Sequence, residues 1–154
     1  MKGTIVIHEN KNNLMEETFR SLRTNLLFML KPKEKVIMIT SSQPSDGKSF
    51  VAGNLAVSLA YLGKKVIIIG VDIRKSGLDK VFGLNSGTQG ITNYLTQSEQ
   101  TELSEWILPS GISPNLDLFP RGNIPPNPTE LVSRTKLDDV IQQLKEKYDY
   151  VILD

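Results

Sequence analysis

Cysteine is absent and histidine occurs once, as His8. Disulfides and thiolate-held metal centres are therefore excluded, and a single imidazole leaves little for a zinc site. A metal in this protein must rest on carboxylate, hydroxyl or phosphate oxygens. Long apolar runs are also missing, since nothing in the chain approaches the roughly 20 apolar residues of a membrane-crossing helix or the apolar stretch of a secretory leader. Nor does charge of one sign dominate. With 18 Lys+Arg against 17 Asp+Glu, no broad field exists to hold nucleic acid, although local basic patches can remain. These absences predict a cytosolic protein that is not a general nucleic-acid binder. Its 154 residues suit one domain with a sizeable core.

Four short apolar runs read as strands, over residues 36–40, 66–70, 116–119 and 150–154. "VIMIT" and "VIIIG" are apolar at nearly every position, the pattern of strands covered on both faces of a parallel sheet. Helical patterns alternate with them, so the expected fold is an α/β sandwich. The first helix is predicted over residues 14–30, where Met15, Phe19, Leu22, Leu26 and Leu30 recur at spacings of three and four, with Pro32 just beyond.

The stretch "TSSQPSDGKSF", residues 40–50, carries half of the phosphate-loop pattern G-x-x-x-x-G-K-[ST]. Gly47, Lys48 and Ser49 match, whereas Ser42 stands where the first glycine is expected. Context completes the reading. "KVIMIT" supplies a buried strand, "SSQPSDG" a loop of small residues, and "KSFVAGNLAVSLAYLG" a helix closing at Gly63. Backbone N–H groups of such a loop point at phosphate oxygens beside the positive end of the helix dipole. The predicted nucleotide-binding segment is Ser42, Gln43, Pro44, Ser45, Asp46, Gly47, Lys48, Ser49 and Phe50. Lys48 would reach the β- and γ-phosphates of ATP, and the Ser49 hydroxyl would bind Mg2+. The plainer alternative is a glycine turn before an ordinary helix.

Two carboxylates end apolar runs, Asp72 after "VIIIGV" and Asp154 after "YVIL". Both are expected at the carboxyl edge of a parallel sheet, where open α/β folds bind ligands. Either could help hold magnesium, and one could orient or deprotonate a nucleophile. The plainer readings are a strand-end acid for Asp154, and a cap or ion pair with Arg74 or Lys75 for Asp72.

In order along the chain stand "EETFRSLRTNLLFM", "SSQPSDGKSFVAGNLAVSLAYLGKKV", "VIIIGVDIRKSGLDKVFGL", "GTQGITNYL", "RGNIPPNPTELV" and "YDYVILD". This succession resembles the bacterial tyrosine kinases of capsular and exopolysaccharide synthesis, nearly end to end. The resemblance implies a three-layer P-loop NTPase sandwich with a mainly parallel central sheet, and an ATP-dependent, autophosphorylating protein tyrosine kinase. It makes Lys48 and Ser49 the Walker A lysine and magnesium ligand, Asp72 an aspartate of the additional A' motif, and Asp154 the Walker B aspartate. Lys48, Asp72 and Asp154 are thus the expected catalytic residues, and Ser49, Asp72 and Asp154 the expected metal ligands. Asp72 is the candidate base for a tyrosine hydroxyl that attacks the γ-phosphate from the tail of a neighbouring subunit.

The chain departs from the family pattern twice. Gly70 replaces the first of two A' aspartates, so restoring it by Gly70→Asp is expected to raise phosphorylation, provided the strand end has room. Ser45 stands where the family usually has glycine, which is expected to stiffen the loop while keeping its amide donors.

Glu17, Arg20 and Arg23 match the family's E-x-x-R-x-x-R subunit-contact motif, which implies a homo-oligomer; without the resemblance they read as a solvated charged strip. In "IPPNPTELV", Asn127, Pro128 and Glu130 fit a helix cap, a first-turn proline and a capping box without any ligand chemistry. Tyr61, Tyr94, Tyr148 and Tyr150 are read as structural, and His8 is assigned no function. Ending on the Walker B aspartate, residues 1–154 are expected to form a single P-loop kinase domain that is C-terminally incomplete. The opening "KGTIVIHENKNN" resembles the join after a fused membrane-spanning activator, which implies a cytoplasmic domain at the inner face of the membrane, served by a fused or separate membrane activator. Two other classes remain open. One is a nucleotide-switch ATPase of the MinD/ParA type, whose extra lysine early in the loop is missing from "SSQPSD"; the other is a non-catalytic nucleotide-binding scaffold, motivated by Gly70.

Overall fold

A computed structural model describes residues 4–8, 13–75, 77–124, 126 and 134–154. Helix α1 spans Leu14–Met29, strand β1 Val36–Met38, helix α2 Lys48–Tyr61, strand β2 Val66–Ile69, and the short helices α3 and α4 Gly77–Phe82 and Ile91–Thr96. A single 3₁₀ turn, Leu103–Trp106, leads to β3 at Leu108–Pro109 and β4 at Leu116–Phe119; helix α5, Arg134–Lys147, and strand β5, Tyr150–Leu153, follow. Among the described residues the sheet has five strands in the order β1-β5-β2-β4-β3. All neighbours are parallel except β3 and β4. Among the described residues no helix is long and apolar enough to cross a membrane.

Alternation along the strands divides the core into two layers. Val66 and Ile68 of β2, Leu116 and Leu118 of β4 and Ile152 of β5 pack with Phe19 of α1 and the face of α2 built by Ala52, Leu55, Ala56 and Leu59. Ile67, Ile69, Phe119, Val151 and Leu153 point the other way, against Ile91 and Leu95 of α4 and Val140 and Leu144 of α5. Both faces of β2 and β5 are therefore covered, which is why these strands are apolar without interruption. Helix α2 is buried over nine consecutive residues, Ala52 to Ala60. Small side chains permit this, and a Cβ at Gly53 would lie 2.6 Å from Cγ1 of Val81 in α3. Asn54, fully buried, accepts from the Val6 and Ile7 amides at 2.8 and 3.3 Å and donates to the Phe50 and Thr4 carbonyls at 2.9 and 3.3 Å. One side chain so ties the segment before α1 to the helix that follows the phosphate loop.

Three local expectations need correction. The stripe predicted on α1 is rotated: Phe19 is buried, but Met15 and Leu22 are 42% and 40% exposed, and Glu16 takes an inner position by accepting from the His8 amide at 2.8 Å. Among the described residues, strand β1 lies at the edge of the sheet and its Met38 is 66% exposed, where cover on both faces is the expectation. Strand β3 was not expected, because two residues ending in proline carry no periodicity. The helix cap read into Asn127, Pro128 and Glu130 lies outside the described residues.

Candidate active site

Strand order places the chemistry. Since β5 lies between β1 and β2, the residue leaving β5, Asp154, is flanked by the loop after β1 and the turn after β2. Backbone bonds lock this arrangement: the Asp154 amide donates to the Ile69 carbonyl at 2.9 Å, while its own carbonyl accepts from Val71 and Asp72 at 2.8 and 3.1 Å. All three carboxyl ends thus meet at one edge.

The loop after β1 turns directly into α2. Gly47 caps that helix with φ of 85°, and neither a capping side chain nor a first-turn acid covers the helix N-terminus. Such an end presents amide donors and positive dipole potential to an anion. Loop and opposite wall enclose a cavity of about 470 Å³, lined by Ser42, Gln43, Pro44, Ser45, Gly47, Lys48, Ser49 and Phe50 on one side and by Asp72 and the turn behind it on the other. Asp46 does not line it. Its carboxylate accepts from the Gln43 amide at 3.0 Å and braces the loop from outside.

Lys48 Nζ lies 2.8 Å from Asp72 Oδ2 and 3.6 Å from Asp154 Oδ1. Ser49 donates its hydroxyl to Asp154 Oδ1 at 3.1 Å. Burial works to lower the Lys48 ammonium pKa, but the two carboxylates outweigh it and hold the group above its ordinary value. Burial likewise works to raise Asp72, and is outweighed by Lys48 and the amides of Lys75 and Arg74, so its carboxyl stays below the usual range. Asp72 Oδ1 accepts from those amides at 3.1 and 3.3 Å. The Ser49 hydroxyl and the Asp154 carboxylate, 3.1 Å apart, are hard-oxygen donors that suit Mg2+ completed by phosphate oxygens and water, while both oxygens of Asp72 are engaged by Lys48 and by the Arg74 and Lys75 amides. The residues present fit that ion.

Close packing continues behind the site. A Cβ on Gly77 would run into the Ser49 hydroxyl, so glycine there lets α3 sit against the loop. Thr92 Oγ1 donates to the Arg121 and Asn123 carbonyls at 2.9 and 2.7 Å, and Asn93 Oδ1 accepts from the Gly90 and Asn123 amides at 3.1 Å each. "GTQGITNYL" and "RGN" are thereby one interlocked unit, which fixes the backbone of Arg121 beside the end of β2.

Residues 34–154 match a family model described as an AAA domain. The chain is 35% identical over 155 residues to tyrosine-protein kinase YwqD of Bacillus subtilis, covering 100% of this chain and 64% of that protein. It is 37% identical over 139 residues to tyrosine-protein kinase CpsD of Streptococcus agalactiae, covering 90% of this chain and 59% of that one. The solved VpsO kinase domain superposes with a TM-score of 0.77 at 30% identity, over 92% of this chain and 69% of its own. This chain belongs to the bacterial tyrosine-kinase family. It is a nucleotide-binding P-loop domain of the three-layer α/β kind. It spans 64% of the length of YwqD and 20% of that of another relative, tyrosine-protein kinase wzc of Salmonella typhimurium. The fold is shared more widely, since MinD of Pyrococcus horikoshii, solved with Mg-ADP, superposes at a TM-score of 0.65 with 28% identity over 78% of this chain and 48% of that one.

Set against that family, both departures acquire a physical form. Ser45 adopts φ of 70°, the single non-glycine residue with positive φ among those described. The loop keeps the left-handed turn for which glycine is suited and accepts a strained serine in it. At Gly70 the room required for an aspartate is lacking, because a Cβ would come 2.9 Å from the Arg121 backbone nitrogen. The charged strip on α1 also divides. Glu17 and Arg20 are exposed. Arg23 instead donates from Nη1 to the Ser58 carbonyl at 2.8 Å and the Ser58 hydroxyl at 3.3 Å, so it joins α1 to α2 within the chain rather than standing free on the strip. Of the tyrosines, Tyr94 packs edge-on against Trp106 and Phe119. Tyr148 donates to Asp117 at 2.7 Å; burial, then that carboxylate, push its phenol well above its ordinary value. Sequence reasoning missed Ser41, Arg74, Lys75, Gly77 and Lys80 as cavity lining. The signal for Gly77 is a glycine at the start of the helix after the β2 turn; the others have none.

Proposed function

We propose that this domain transfers the γ-phosphoryl group of Mg-ATP to a tyrosine hydroxyl. The observation that carries the proposal is the meeting of Lys48, Ser49, Asp72 and Asp154 at one sheet edge beside the uncapped N-terminus of α2. The loop amides and Lys48 hold the β- and γ-phosphates, for which phosphate oxygens must compete with Asp72 for the ammonium group. Ser49 and Asp154 would hold magnesium, which would supply charge neutralisation for the transferred phosphoryl group. Asp72 is 27% exposed on its side chain against 2% for Asp154, so it faces the side from which an acceptor comes. The roles divide accordingly, with Asp154 on the metal and Asp72 as base. The phenolic oxygen forms a bond to γ-phosphorus, the bond to the bridging oxygen breaks with its electrons leaving on ADP, and the phenolic proton passes to Asp72. As Lys48 turns to phosphate, the charge that holds Asp72 low moves away and its basicity rises.

The biological setting follows the family resemblance: autophosphorylation of a neighbouring subunit's tyrosine-rich tail, control of capsular or exopolysaccharide synthesis, a homo-oligomer using Glu17, Arg20 and Arg23, and a membrane activator that keeps the domain at the inner face of the membrane. Incubation with Mg-ATP and a tyrosine acceptor, followed by phosphotyrosine mapping and phosphate assay, tests the reaction. Phosphate release without phosphotyrosine would replace it with a MinD-like switch ATPase, and neither product would leave a scaffold. The switch reading has less support here, since residues 41–46 contain no lysine.

A further inference from the structure

The wall of the cavity opposite the phosphate loop carries three cations, Arg74 and Lys75 on the turn after β2 and Lys80 on α3. Among the described residues, none of their side chains takes part in an ion pair; the two salt bridges present both belong to Lys48. The turn bearing Arg74 and Lys75 is fixed, because Asp72 Oδ1 accepts from both of their amides. Isolated surface lysines are ordinarily just solvated. These three differ in sharing one concave wall beside Asp72, in a protein whose formal net charge is only +1. Asp72 on the same wall is balanced by Lys48, so the charge left over is positive, and a concave surface with an excess of one sign focuses its field on whatever enters.

We infer that this wall selects the acceptor, and that the tyrosine it accepts is flanked by acidic residues. The inference rests on the tyrosine-kinase reading and deepens it. A phenol delivered to Asp72 brings its neighbours in the peptide past the turn that begins two residues later, and hence past Arg74, Lys75 and Lys80. Glu or Asp on either side of the tyrosine meets these cations, whereas Lys or Arg is repelled. The phosphate loop, on the other wall, holds nucleotide through amides and Lys48, so the two walls sort donor from acceptor.

Fluorescence anisotropy of three peptides of equal length, with the tyrosine flanked by Glu, Gln or Lys, tests this on the full chain with Mg-ADP present. The Glu peptide is expected to bind about tenfold tighter than the Gln peptide, with the gap closing as salt is added, and the Lys peptide weakest. Lys75→Glu with Lys80→Glu should reverse that order while Mg-ADP affinity changes by less than about threefold. Lys80→Gln, a milder change at an exposed position, should cut the Glu preference by about two- to threefold, which keeps the test available if the double variant does not fold. Equal binding of Glu and Gln peptides by a chain that binds Mg-ADP overturns the inference and leaves the kinase reading intact. Loss of Mg-ADP affinity in the charge-reversed protein, with the peptide order unchanged, also overturns it by assigning the cations to nucleotide. Failure of the unaltered chain to bind Mg-ADP overturns both.

Discussion

The ends of β2 and β5 look alike in sequence, an apolar run followed closely by aspartate, yet they build opposite surroundings. Asp154 sits inside the sheet's edge, 4% exposed, with its amide bonded to Ile69 of β2, its carbonyl accepting from the Val71 and Asp72 amides just beyond that strand, and its carboxylate on Ser49. Asp72 lies where the chain has left the sheet and turns toward α3, and it meets Lys48 and two amides of its own turn. Distance from the strand end makes the difference. Both strands are interior to the sheet, but Asp154 follows β5 directly and is held by its neighbours, whereas Asp72 stands past the end of β2 in an open turn that delivers it to the cavity.

The sharpest way to break this comparison is to neutralise each acid in turn. Asp72→Asn is expected to lower turnover by about 10²–10⁴-fold, as for loss of a general base, and to change nucleotide affinity by less than about threefold. Asp154→Asn should instead weaken nucleotide binding in Mg2+ more than in its absence, measured by titration with and without the metal. Equal behaviour of the two variants would dissolve the division of roles. Lys48→Met, which removes the cation both acids share, should cost about 10²–10³-fold in turnover without lowering Tm beyond a few degrees, since its side chain is a quarter exposed.

Gly70 sharpens the contrast from the β2 side. The sequence encourages the view that an aspartate restored there would share the work of Asp72. The structure points the other way, because the Arg121 backbone occupies the space a side chain needs. Gly70→Asp is expected to destabilise the domain by about 1–3 kcal/mol, as overpacking does, and not to raise phosphorylation. Thermal unfolding and phosphotyrosine yield measured on one sample decide the matter; a gain in yield with Tm unchanged would show that residues 120–122 yield to the side chain.

Much of this layout was legible beforehand for definite reasons. Uninterrupted apolar runs report burial on both faces, so β2 and β5 were readable, and the strand, small-residue loop and helix succession located Gly47, Lys48 and Ser49. What escaped is what depends on strand order and close approach. No local pattern says that Met38 of β1 is exposed among the described residues, or that Arg23 reaches inward to Ser58. The tight contact at Gly70 arises between segments about fifty residues apart in sequence, brought together by the Thr92 and Asn93 interlock, and periodicity cannot register it.

A smaller effect is expected within the phosphate loop. The left-handed conformation of Ser45 costs about 1–2 kcal/mol relative to glycine, offset by about 0.5–1 kcal/mol of chain entropy that glycine loses on folding. Ser45→Gly should therefore stabilise the protein by about half to one kcal/mol in denaturant unfolding. Nucleotide affinity should hold or improve, since the amides keep their places. A loss of stability would mean that the serine side chain, and not the backbone, governs this turn.

The smallest effect belongs to Asp79 of α3, on the far side of the β2 turn from Asp72. One of its carboxylate oxygens is buried with no hydrogen-bond partner. Burial, opposed by the nearby Arg121, holds its pKa above the ordinary 3.8, the reverse of what Lys48 does to Asp72. A carboxyl whose pKa is higher folded than unfolded takes up protons on folding, so its favourable contribution is complete below 3.8 and is lost as pH rises through the folded value. Near neutrality the ionised group is thus a liability. Asp79→Asn is expected to raise Tm by about 1–3 °C at pH 7, with the gap closing as the pH is lowered toward 3.8. Asp72 has the opposite sign: its depressed pKa contributes stability above 3.8 that is lost as the pH falls through the folded value. Unfolding curves of Asp79→Asn and Asp72→Asn across that range should therefore depart from the parent in opposite directions, and parallel curves would show that the two sides of the turn hold their carboxylates alike.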